Sequence, residues 1–366
     1  MDELKGAILI FICMGHIAGM IFPPPTIRYI ANLLTAIGVP TFFFLSGLLF
    51  ISKDVPLKTY LIGKTKSLLL PYILLSLLFT VFDPYTYCPS YLCEVMHYPR
   101  LVMPFSIDIF TQASIEFFMG DVLCTALGIS SRATLPLWFV FVLYVVSVSY
   151  YWIYGILCSH AKMGLFAVVF MVLSMMLCRM GIGGIFKVGP IMMAFFFYWL
   201  GIFFSKRLYW FDKSALILLP FSLVFLFVFL TWAPALVDKV SFVNGVFPFG
   251  HPLQFLFSFL AGILCFLCLF AVLSRCNFLG FDILKGILRN IARNSLIVLA
   301  MHYVLLVFFS LYMKHLFPEE WRFYIAVSFI VIGCIASIVL FRTKLYVFIG
   351  GERAKQDLNT CLSIRN

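Results

Sequence analysis

Charge is scarce in this chain. Of its 366 residues, 11% are Asp, Glu, Lys or Arg, against 63% hydrophobic ones. A soluble domain carries about 25% charge, so a water-soluble fold is excluded and a polytopic membrane protein is expected. The net charge of +11 would suggest nucleic acid in a soluble chain. In one this apolar, loop cations set topology and meet anionic headgroups, so membrane lipid, not nucleic acid, is the expected partner. A signal-peptide cleavage site is also lacking. The first apolar segment has no Ala-x-Ala-like sequence and runs into Pro23-Pro24-Pro25, so it reads as a retained anchor. No cluster has metal-ligand spacing, and no metal is expected. The eleven cysteines are scattered. Cys265 and Cys268 have redox-like spacing but lie in an apolar stretch and read as packing residues. Cys88 and Cys93 lie in a polar loop, and a disulfide between them requires that loop to be extracytoplasmic. There is no internal repeat, low-complexity tract or appended soluble domain.

What is present in quantity is long apolar segments. A spanning helix takes about 20 mostly apolar residues. That rule marks about ten spans: 4–22, 31–51, 68–82, 135–158, 164–180, 188–204, 215–232, 255–274, 295–313 and 323–341. The expected fold class is all-α, a polytopic transmembrane helical bundle over residues 1–341 with a short polar cytoplasmic tail over 342–366. Segment 107–128 carries Asp108, Glu116 and Asp121 and is expected to lie along the interface or re-enter the membrane. With the N-terminus in the cytoplasm, 18 of the 26 lysines and arginines fall on that side. The bias favours both termini inside and an even number of spans.

The first span holds the most telling pair of residues. Lys5 and His16 are eleven positions apart. At roughly 100° per residue they share one face, within about 20°, separated by roughly 16 Å along the axis. An ionisable group at the depth of His16 is costly in lipid and marks a functional-site candidate. Between spans two and three, Lys58, Lys64 and Lys66 precede Ser67 and Pro71-Tyr72. That basic loop is explained by topology alone; the functional reading is a phosphate site where lysine acts as a point charge. Phe42-Phe43-Phe44-Leu45-Ser46-Gly47 ends the second span. Its small pair permits close helix packing, or the Ser46 hydroxyl lines a cavity. No Gly-x-Ser-x-Gly elbow surrounds Ser46, so it is not read as a nucleophile. Pro136-Leu137-Trp138-Phe139 opens the fourth span, where Trp138 fits an interfacial aromatic belt. Asn294 or Ser295 is expected to cap the ninth span. Two turns on, and on the face of Ser295, stands His302, a second intramembrane histidine.

In order along the chain, these residues resemble the landmarks of the membrane acyltransferase-3 family. Lys5-Gly6…Gly15-His16 is similar to the family's opening signature of a basic residue, ten intervening positions and a histidine. Phe43-Phe44-Leu45-Ser46-Gly47, Lys64-x-Lys66…Pro71-Tyr72, Leu137-Trp138-Phe139 and Asn294-Ser295-Leu296…His302 resemble later ones. The likeness is greatest to members without a fused extracytoplasmic domain that act on surface polysaccharides. The resemblance implies a helical bundle of about ten spans in the bacterial cytoplasmic membrane. It also implies transfer of an acyl group, usually acetyl, from cytoplasmic acyl-CoA to a hydroxyl of a glycan or lipid-linked sugar. It makes His16 the expected catalytic base. Lys5, Lys64 and Lys66 become candidates for the CoA phosphates, and Ser46, Trp138, Ser295 and His302 candidates for substrate contact. Read without the resemblance, ten spans with buried histidines also fit a polysaccharide exporter or flippase, although no inverted repeat with broken spans is visible. A sensory or scaffold protein would leave the Lys5–His16 spacing unexplained.

Overall fold

The structure is a computed structural model and describes residues 2–50, 55–80, 135–180, 187–205 and 279–349. Between 206 and 278 it describes residues 214, 216–224, 227, 260, 262–268 and 271. Segment 107–128, Cys88 and Cys93, and the tail from residue 350 lie outside the described residues. Spans 215–232 and 255–274 lie outside them in part.

Among the described residues there is no strand. The helices are α1 (Asp2–Ile21), α2 (Pro25–Leu48), α3 (Leu57–Lys64), α4 (Leu70–Thr80), α5 (Trp138–Leu157), α6 (His160–Arg179), α7 (Val188–Ser205), α8 (Leu279–Arg293), α9 (Ser295–Phe308) and α10 (Glu319–Thr343). Seven stretches are long and apolar enough to cross a membrane: Asp2–Ile21, Leu57–Phe79, Trp138–Leu157, His160–Leu177, Val188–Ser205, Ser295–Leu316 and Glu319–Thr343. Such helices are the stable answer in lipid because every backbone polar group is bonded within the segment. Their ends follow from local chemistry. α1 stops at Ile21, Phe22 takes a left-handed φ of 52°, and three prolines bar further helix.

One expectation is corrected. The basic stretch before Pro71 is not a loop. Lys58 and Lys64 lie on α3, and Lys66 lies in a π-helical turn, Thr65–Leu69, that joins α3 to α4. Leu57, Tyr60, Leu61 and Ile62 make the segment apolar enough to be helical despite its lysines. α10 continues to Thr343, and Tyr346–Ile349 form a 3-10 turn packed against α4. That turn is Tyr-Val-Phe-Ile, which is too apolar to stay in water.

The chain divides into two units. The first comprises Met1–Gly15, Pro25–Tyr60 and Val145–Arg293. In it α7 packs on α2 and α6. A Cβ built at Gly47 would overlap the Tyr198 carbonyl, and one at Gly201 would overlap the Phe44 carbonyl. The two backbones therefore touch, as small residues allow in membrane helices. Above this contact lies an aromatic layer. Tyr60 stacks on Tyr151 at 4.2 Å, and the Tyr150 ring lies 5.4 Å from Phe50 and 5.6 Å from Tyr198. Ser174 Oγ donates to the Gly189 carbonyl at 2.7 Å, joining α6 to the start of α7.

The second unit comprises His16–Pro24, Leu61–Tyr144 and Asn294–Asn366. Here α9 packs on α10, and the short turn Leu135–Leu137 that opens α5 packs on α9. A Cβ at Gly333 would press into the Leu305 side chain, so α10 reaches α9 closely at that level. α1, α3 and α5 each contribute residues to both units.

Candidate active site

The second unit brings together the two histidines that the sequence places in spans. His16 lies on the last turns of α1, held there by a helix that runs unbroken from Asp2. His302 lies on α9, two turns after Ser295. Their ring centroids are 5.5 Å apart with the planes tilted by 42°. Tyr303 meets both rings edge-on: its centroid is 5.5 Å from that of His16 and 6.3 Å from that of His302. His16 is half-buried, whereas His302 is 0% exposed.

The hydrogen bonds of His302 determine its tautomer. Its Nδ1 lies 2.8 Å from the Val298 carbonyl oxygen, one turn back on α9. A carbonyl can only accept, so Nδ1 carries the proton and donates. In the neutral ring Nε2 is then a bare lone pair. That Nε2 is buried and has no hydrogen-bond partner among the described residues. Buried polar atoms are normally paired, and an exception calls for a reason. An acceptor next to the His16 ring has one: it can take an N–H of His16 and leave the other His16 nitrogen bare. Two imidazoles so arranged can receive a proton and spread the resulting charge, much as a base held by an orienting partner does.

The other candidates are distributed as follows. Ser295 opens α9 in the same unit and is half-buried. Asn294 stands at the N-cap position but makes no side-chain cap bond. Its Oδ1 accepts from Arg342 Nε at 2.8 Å instead, which corrects the expected capping role. Trp138 begins α5, directly after the turn packed on α9, and is 2% exposed. It is an interior residue and not the belt residue that its position at a span end suggests. Ser46 belongs to the first unit, and its hydroxyl is buried without a partner among the described residues. Gly47 beside it serves the helix contact described above.

The cations divide too. Lys5 is half-buried in the first unit, while Lys64 is half-buried and Lys66 exposed in the second. Tyr303 was not singled out from the sequence. Its only signal there is that it follows His302 directly. The aromatic layer of the first unit was missed as well, because its rings come from four separate segments.

Among known families, a model described as an acyltransferase domain, the acyltransferase-3 model, matches residues 1–341. No curated protein and no solved structure matches the chain.

Proposed function

We propose, from the premise that the chain belongs to the acyltransferase-3 family and is a membrane acyltransferase, that it moves an acyl group from acyl-CoA to a sugar hydroxyl. The donor is cytoplasmic acyl-CoA, acetyl-CoA first among them. The acceptor is a cell-surface glycan or a lipid-linked sugar. The reading includes about ten spans, both termini in the cytoplasm, and residence in the bacterial cytoplasmic membrane. The orientation is supported by the excess of lysine and arginine on the N-terminal side.

The single observation that carries the proposal is the His16–His302 pair. His16, the half-buried member, takes the proton from the acceptor hydroxyl as its oxygen attacks the thioester carbonyl. The carbon–sulfur bond then breaks, and the departing CoA sulfur receives the proton from His16. His302 acts as a positioning residue. During the reaction its bare Nε2 is to accept an N–H of His16 and hold the reactive nitrogen toward the hydroxyl. Lys5, Lys64 and Lys66 offer point charges to the CoA phosphates. Lys5 stands on the same continuous helix as His16, eleven positions earlier, about the reach of an extended pantetheine arm. Ser46, Trp138 and Ser295 are proposed to contact substrate.

Purified protein in vesicles with labelled acetyl-CoA and an acceptor glycan tests this. The proposal expects free CoA and a glycan heavier by one acyl group, with both lost in folded His16→Ala. An exporter or flippase would release no CoA and leave the glycan mass unchanged. Normal acylation by His16→Ala would reject His16 as the base.

A further inference from the structure

One short helix has no part in the reaction proposed above. α8, Leu279–Arg293, reads from sequence as part of a basic loop, yet it is a regular helix with sharply separated faces. Its 15 described residues give about 22 Å, short of the roughly 30 Å hydrocarbon core, and carry Asp282, Lys285, Arg289 and Arg293, so they do not read as a spanning segment. It is tied to the start of α1. A Cβ at Gly6 would overlap the backbone of Leu288, so the two helices touch there, and Arg289 pairs with Glu3. Leu288 is correspondingly buried.

Three other apolar residues are uncovered. Ile283, Leu284 and Ile287 are 63%, 43% and 52% exposed. At roughly 100° per residue these three fall in one sector about 100° wide. Lys285, Arg289 and Arg293 fall in another, about 80° wide, beyond the contact line of Leu288. The helix thus presents an aliphatic wedge and a row of three cations, against one carboxylate of its own, Asp282. Three large aliphatic side chains on a helix that does not read as a span, at the end of a spanning helix, have one environment that suits all of them. That environment is the plane where acyl chains meet headgroups.

We propose that α8 is an interfacial helix that docks on the anionic lipid surface of the leaflet at the N-terminal end of α1. Ile283, Leu284 and Ile287 enter the acyl region, Arg293 meets lipid phosphates, and Lys285, bridged to Asp282 at 3.3 Å, adds positive charge to that face. Arg289 bridges to Glu3. Because α8 rests on Gly6, next to Lys5, this lipid contact braces the first turns of α1. The inference does not depend on the reaction proposed above.

Hydrogen–deuterium exchange on the full-length protein in vesicles tests it. One set of vesicles is phosphatidylcholine alone, and a second contains phosphatidylglycerol at a ratio of 7:3, each at two protein densities. Amides over 283–291 should exchange on the order of ten-fold more slowly in the anionic vesicles, at either density. The variant Lys285→Gln/Arg293→Gln should lose that difference, and Ile283→Asn/Ile287→Asn should lose protection in both lipids. Peptides from α9 and α10 report whether each variant is folded. If the paired charge variant disturbs them, Arg293→Gln alone carries the comparison. Equal exchange in the two lipids would overturn the proposal. So would protection seen only at high protein density, which would assign the face to a second copy of the chain.

Discussion

The two units bury polar side chains in different ways. In the first, two phenols are tied to backbone. Tyr60 donates to the Ser147 carbonyl at 3.4 Å and Tyr151 to the Val55 carbonyl. The helices beneath are locked by the reciprocal contacts of Gly47 and Gly201. The Tyr150 hydroxyl has no partner among the described residues, and the rings of Phe50, Phe195 and Tyr198 pack around its ring. In the second unit, a fully buried histidine keeps one nitrogen bonded and the other bare beside a half-buried histidine. A bonded phenol stabilises a fold. A bare imidazole nitrogen costs stability, since a buried unpaired polar group is unfavourable by about 1–3 kcal/mol, and it persists where chemistry uses it.

Substitutions should separate these roles. The largest effect is expected at His16. His16→Ala should lower acyl transfer by about 10²–10⁴-fold, the usual worth of a general base, with unchanged elution on gel filtration. Gly201→Val should act on stability instead. Its side chain would overlap the Phe44 carbonyl, a cost of about 3 kcal/mol, read as a lower Tm in detergent. If Gly201→Val left Tm unchanged, the first unit would not be the rigid element described here.

His302→Leu should lower kcat by roughly 10–100-fold with little change in KM, as expected for a residue that orients another. His302→Gln, which keeps an acceptor oxygen, should recover part of the loss. Equal losses for Leu and Gln would point to packing alone. The smallest effect belongs to the exposed cation. Lys66→Gln should raise KM for acyl-CoA by about five-fold, or about 1 kcal/mol, and less at high salt. An unchanged KM at low salt would remove Lys66 from the donor site.

Much of this architecture was legible as hydropathy. Described helices overlie eight of the ten expected spans, and α1 extends from Asp2 to Ile21 where 4–22 was expected. Hydropathy reports a residue's polarity but not its neighbours. It could place His16 and His302 at membrane depth, but the 286 positions between them are closed only by tertiary packing. It could not tell that Trp138 faces protein instead of the interface. Asn294 has the chemistry of a cap, but Arg342, 48 residues on, takes its oxygen. α8 was hidden for a different reason. Its apolar residues recur with helical period among three cations and an aspartate, a pattern that a search for long apolar runs reads as loop.

The account rests on the histidines acting as a pair, and a double-mutant cycle addresses that directly. Initial rates of CoA release would be compared for the unaltered protein, His16→Ala, His302→Leu and the double variant. If His302 works through His16, the double variant should be no slower than His16→Ala alone, since residues acting as a unit are strongly non-additive. Losses that multiply, or a His302→Leu protein as fast as the unaltered one, would contradict the pairing.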